Sequence, residues 1–65
     1  MFNVHTELPS GAVSRGYDRT DEVAAIHTLA RMVQQCREMR NYTIDVVLSE
    51  NGVEIQRERI HNASR

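Results

Sequence analysis

Between residues 20 and 41 the chain contains neither glycine nor proline, and its apolar residues recur every three or four positions. That is the period of an α-helix with one apolar side. Ala25, Ile26, Leu29, Met32, Val33, Cys36 and Met39 share that side, while His27, Thr28, Arg31, Gln34, Gln35 and Glu38 share the other. Such a helix takes about a third of a 65-residue chain, so the rest of the fold must supply the surface on which it lies. Asp18 or Thr20 is placed to cap its start, and Asp21 and Glu22 suit the positive end of the helix dipole.

The flanking segments change period. Phe2, Val4, Thr6 and Leu8 alternate with Asn3, His5 and Glu7, which is the pattern of a half-buried strand, and Pro9 then removes an amide donor and ends the pairing. Beyond Asn41 two more alternating runs surround Asn51-Gly52, the strongest short hairpin signal in a sequence. A hairpin loop of two or four residues brings Ile44, Val46, Leu48, Val53 and Ile55 onto one face, whereas three residues would set Leu48 opposite Glu54. A two-residue turn also pairs Asp45 with Glu58, a like-charge pair, so a four-residue loop over 49–52 is expected.

These elements predict an α+β fold, a small two-layer β-loop-α-β-β arrangement in a single domain over residues 1–60. Its parts are a strand at 2–8, a loop at 9–19, a helix at 20–41 and strands at 42–49 and 53–60. The three-stranded, mainly antiparallel sheet carries one amphipathic helix on one face. The right-handed crossover rule lets the first strand lie beside either of the later two; the place beside the last is slightly preferred because antiparallel pairs are the commoner kind, and an exchange of first strands between protomers is an alternative. The other sheet face carries Asn3, His5, Glu7, Asp45, Ser49, Glu54, Gln56 and Glu58 toward solvent. Residues 61–65 form a polar tail expected to fray.

A domain this small removes little surface from water and commonly needs a staple. Cys36 is the only cysteine, so an internal disulfide is excluded, and one thiol with His5, His27 and His61 gives no zinc spacing. No metal or cofactor is expected. Oligomerisation is the device left. With Val23 and Ala30 added, the apolar side spans about half the helix circumference, more than one small sheet needs. Val23, Ile26, Ala30, Met32 and Val33 are therefore the expected interface of a homodimer or a higher assembly. The alternative is that Val23, Ala30 and Met32 sit at an ordinary exposed boundary.

Charge and hydropathy narrow the environment. No apolar run approaches the ~20 residues of a membrane span, and the first residues lack the basic start of a signal peptide, so a cytoplasmic protein without membrane contact is expected. A formal net charge of -1 argues against generic DNA binding, which rests on excess cation. All eight basic residues are arginine, a bias that genome composition can produce, although arginine also grips phosphate with a two-pronged fork.

No catalytic constellation is present. Cys36 falls on the apolar helix side, the histidines fall on polar faces or in the tail, and Glu54, Gln56 and Glu58 are spaced merely by the strand period. The chain is therefore read as not an enzyme. The loop at 9–19 differs in kind, since it combines Gly11 and Gly16 with hydroxyls, Arg15, Arg19 and Tyr17, and leads into a helix start. Ser14, Arg15, Gly16, Tyr17, Arg19 and Thr20 are the candidate ligand-binding residues, with amides and guanidinium groups for a phosphate and the tyrosine ring for a base. Two other readings of the loop are a plain surface connection and a strap that buries Val13 and Tyr17 in a neighbouring protomer. The expected function is that of a small homo-oligomeric binding or regulatory protein that sequesters or senses an anion such as a nucleotide. The alternative is an inhibitor or adaptor of phage or plasmid type, which grips a host protein through the hairpin edge or the polar sheet face.

Overall fold

In a computed structural model, residues 1–38 and 42–62 are described, with backbone alone at residues 42 and 62. The chain runs β1 (Phe2–Glu7), β2 (Tyr17–Arg19), α1 (Glu22–Arg37), β3 (Tyr42–Glu50) and β4 (Val53–Asn62). The strands form one antiparallel sheet in the order β2-β1-β3-β4. The α+β class is as expected, but the sheet has four strands, not three. The expected last turn of the helix, with Met39, and tail residues 63–65 lie outside the described residues.

The additional strand, β2, arises inside the segment expected to be a loop. Tyr17 pairs with Val4 and Arg19 with Phe2, so β2 folds back along β1. That reversal changes the topology. The chain enters α1 running opposite to its expected direction, and β3 therefore returns antiparallel to β1, from Phe2↔Glu50 to Glu7↔Asp45. β1 lies beside β3, the strand that follows the helix, and not at the preferred place beside the last strand. β3 becomes an inner strand, and residues 44–48 along it are all buried.

The β3–β4 turn is a two-residue one, not the expected four-residue loop. Asn51 and Gly52 take φ of 52° and 84°, the left-handed pair that a tight hairpin turn demands, and Glu50 pairs with Val53. Counted back from that pair in regular register, Asp45 would face Glu58. A bulge removes the conflict: Leu48 pairs with Gln56 and Ser49 with Glu54, leaving Ile55 as the extra residue, and Asp45 consequently meets Arg59. Val53 and Ile55, expected in the core, are 65% and 50% exposed. Gln56 and Glu58, expected on the far face, pair with Leu48 and Val46 on the helix side.

Asp21, not Asp18 or Thr20, caps α1, its carboxylate accepting from the Ala24 amide at 3.2 Å. The buried side of the helix, Ala25, Leu29, Val33 and Cys36, lies over Val4, Ile44, Val46, Leu48 and Ile60. Full burial of a side chain of the Leu29 or Val46 kind contributes about 1.5–3 kcal/mol. Val33, expected at an oligomer interface, belongs to this core, and Met32 is partly buried against it. Val23, Ile26 and Ala30 remain exposed.

The far face of the sheet is a latch of ion pairs. Arg57 on β4 donates to Asp45 on β3 at 2.6 Å, to Glu7 on β1 at 3.1 Å and to Glu54 at 2.7 Å, and Arg59 donates to both Asp45 oxygens. Hydrogen bonds from Arg59 and then Arg57 hold the Asp45 carboxyl below its ordinary value. His5 was expected to be a solvated group but is bound at both ring nitrogens, Nδ1 2.9 Å from Asn3 Oδ1 and Nε2 2.8 Å from Glu7 Oε2. The bond to His5, followed by that from Arg57, lowers the Glu7 carboxyl as well. At the far end, His61 and Asn62 continue β4 opposite Thr43 and Tyr42 and are not part of a fraying tail. Among the described residues no helix is long and apolar enough to cross a membrane.

Candidate ligand groove

The groove begins with Gly16. Its φ is 74°, and a Cβ there would stand 2.2 Å from the Val4 carbonyl oxygen and 2.7 Å from His5 Cβ. Only glycine permits that approach. Residues 13–16 can thus lie against β1, tied by the Glu7↔Val13 bridge and by the Ser14 amide donating to the Thr6 carbonyl at 2.9 Å. The chain then arrives at Tyr17 in strand register.

Alternation along β2 sorts its side chains. Asp18 turns to the far face, where Asn3 Nδ2 donates to it at 2.9 Å, while Tyr17 and Arg19 turn toward α1. Arg19 is held there: Nε donates to Thr28 Oγ1 at 3.2 Å, Nη1 donates to the Asp18 carbonyl at 2.9 Å, and the guanidinium lies 5.5 Å from the Tyr17 ring centroid. The Thr28 hydroxyl spends its own hydrogen on the Ala24 carbonyl, which leaves its oxygen free to accept from Arg19. Among the described residues Nη2 of Arg19 has no hydrogen-bond partner.

Thr28, Arg31, Met32 and Gln35 recur at helical spacing on the flank of α1 that faces β2. With Tyr17 and Arg19 they enclose a cavity of about 190 Å³. Among the described residues neither the Arg31 guanidinium nor the Gln35 side-chain amide has a partner. The lining carries two guanidinium groups and no carboxylate. An adjoining cavity of about 350 Å³ shares Tyr17, Met32 and Gln35, and is completed by Thr6, Ser14, Gly16 and Cys36. Burial pushes the Cys36 thiol up, away from the thiolate form that would react.

The structure therefore divides the residues singled out from the sequence. Tyr17 and Arg19 line the cationic cavity, and Ser14 and Gly16 line its neighbour. Arg15 and Thr20 line neither, and what Arg15 contributes is its carbonyl, an acceptor for Asn3 Nδ2 at 3.3 Å. At the start of α1 the Asp21 carboxylate accepts from the Ala24 amide and Glu22 adds a second negative charge, which disfavours an anion there. In the sequence Thr28, Arg31 and Gln35 fall on the polar side of the helix. Their spacing was visible, but their proximity to Tyr17 and Arg19 depends on β2.

On its other flank α1 meets β4 across a groove of about 300 Å³, where Ile26, Ala30 and Val33 face Gln56 and Glu58. Among the described residues no group of three or more His, Cys, Asp or Glu side chains could hold a metal ion. Comparison of the chain with protein-family models, with curated proteins and with solved structures finds no match in any of the three.

Proposed function

We propose that this chain is a non-enzymatic binding protein that takes a small phosphate-bearing anion into the groove between β2 and α1, and that sequestering or sensing this ligand is its activity. The observation that carries the reading is charge segregation. The chain has nine acidic residues against eight basic ones, yet two guanidinium groups and no carboxylate line this concave site. Arg19 is oriented by Thr28 and the Asp18 carbonyl, so little of its rotamer freedom remains to be lost on binding. Arg31, one helical turn beyond Thr28, supplies a second cation from the facing wall.

Thermal melting with phosphate and with nucleotides tests this, since a ligand that binds only the folded chain must raise the midpoint. Arg31→Ala is expected to abolish the shift and Arg15→Ala to leave it in place. If both variants respond like the parent, the groove is not the site.

Self-association belongs to the same proposal. The exposed Ile26 and Ala30, beside the groove against β4, are the surface on which a second copy would sit, in place of the broader set that included Val33 and Met32. The second reading, a protein-binding inhibitor or adaptor, is favoured by one observation: β4 is a ten-residue edge strand with Val53 and Ile55 exposed. Under that reading no nucleotide shifts the melt, and Ile55→Pro, but not Arg31→Ala, abolishes complex formation with the partner.

A further inference from the structure

We propose that the groove is bipartite and selects a nucleoside monophosphate, with the phosphate between Arg19 and Arg31 and the base in the adjoining cavity; this rests on the anion site proposed above. The two halves differ in chemistry. The cationic half, about 190 Å³, holds two guanidinium groups, which match the roughly -1.5 to -2 charge of one phosphate monoester near neutral pH. A phosphate alone would leave the second half, about 350 Å³, without an occupant. The shared wall of Tyr17, Met32 and Gln35 makes the halves contiguous, so one ligand can reach both.

The second half is equipped for a flat heterocycle with a polar edge. Tyr17 offers an aromatic ring, about half exposed, and Met32 a polarisable thioether against which a π-system packs well. Polar capacity is also left over. Ser14 Oγ accepts from the Thr6 amide at 2.9 Å and lies 3.0 Å from Thr6 Oγ1. Whichever hydroxyl donates in that pair, one hydroxyl hydrogen remains unspent beside the cavity that both side chains line. Gln35 brings an amide with both donor and acceptor and no partner among the described residues. A base edge pairs with such a set, whereas an acyl chain would leave it unsatisfied.

Calorimetric titration of the parent chain with inorganic phosphate, with each of the four ribonucleoside monophosphates and with the corresponding nucleosides tests the assignment. At least one monophosphate is expected to bind about tenfold or more tighter than phosphate and than its own nucleoside. Arg31→Ala should weaken phosphate and monophosphate alike. Gln35→Ala, on an exposed helix position where alanine is well tolerated, should shrink the advantage of the monophosphate over phosphate. Phosphate binding as tightly as every monophosphate, or a Gln35→Ala chain that retains the full preference, overturns the base subsite and leaves the anion site standing. Absence of binding by phosphate and all monophosphates overturns both.

Discussion

The two flanks of α1 rest on the same sheet and are unfinished in opposite ways. Toward β2 the groove holds hydrogen-bonding groups and cations, with Arg31, Gln35 and a hydroxyl hydrogen of the Thr6–Ser14 pair unspent among the described residues. Toward β4 the helix leaves Ile26 and Ala30 exposed beside a groove that Arg37, Gln56 and Glu58 also line. The cause lies in the sheet edges. β2 has three residues and β4 has ten, so on one side the helix overhangs the end of a short strand and on the other it runs beside a long one. An overhanging flank can afford polar residues aimed into a gap, which a small ligand can fill. A flank beside a full-length strand leaves exposed apolar side chains along a seam, where the proposed second copy would sit.

Gly16→Val is expected to break the comparison on one side only. The new side chain would meet the Val4 carbonyl and must adopt a left-handed φ, which together should cost roughly 2–4 kcal/mol. Denaturant melts measure the loss, and the ligand response should vanish with it because β2 no longer reaches its register. Self-association of whatever fraction stays folded should persist, since the β4 flank is untouched. A Gly16→Val chain as stable as the parent would show that residues 13–16 do not need the close approach to β1.

A smaller and cleaner effect separates the flanks by function. Arg31→Ala removes one charged partner and should weaken phosphate binding by about ten- to a hundredfold, the range for a charge-assisted hydrogen bond. Stability without ligand should stay within about 0.5 kcal/mol, as is usual for surface substitutions away from special features. Its counterpart is Ile26→Glu, at a side chain 48% exposed, which should convert associated copies to monomers in sedimentation and leave the ligand midpoint shift intact. If Ile26→Glu abolishes ligand binding as well, the flanks are coupled and the site spans two protomers.

These contrasts were only partly legible in the sequence. The helix and the Asn51-Gly52 hairpin announce themselves because a long periodic run and a left-handed dipeptide are local signals. β2 is not local in that sense: three residues are too few to display alternation, Tyr17 is its sole apolar member, and its pairing depends on Gly16 approaching Val4. Missing it also misplaced β1, since the reversal at β2 sets the direction in which the helix runs. The bulge at Ile55 left a trace, the Asp45–Glu58 conflict, but a longer loop answers that conflict equally well on paper. Tyr17 and Arg19 were singled out for their chemistry, yet the helix start turned out to be held by Asp21. The residues that line the cavity with them, Thr28, Arg31 and Gln35, looked like any polar helix stripe until a strand was set beside them.

The smallest expected effect concerns the far face of the sheet, which braces both flanks from behind. Asp45, Glu7 and Glu54 are all held below their ordinary values, Asp45 chiefly by Arg59, Glu7 by His5 and Glu54 by Arg57. A carboxylate lowered in the folded state binds fewer protons there than in the unfolded chain, so stability falls wherever acid drives that uptake. The contribution is complete above the ordinary values of 3.8 for aspartate and 4.5 for glutamate and is lost as the pH drops through the lower folded values. Urea midpoints should therefore be flat from neutral pH to about 5 and decline below about 4. Arg57→Leu should make the decline shallower, because Glu7 and Glu54 lose their shared partner while Asp45 keeps Arg59. Since Arg57 joins β4 to β1 through Glu7, acid should loosen the β4 seam before the β2 groove, whose Asn3–Asp18 tie does not involve that guanidinium. Hydrogen exchange at pH 4, comparing amides of β4 with those of β2, reads that order, and equal loss of protection in both strands would mean that the far face acts as one unit.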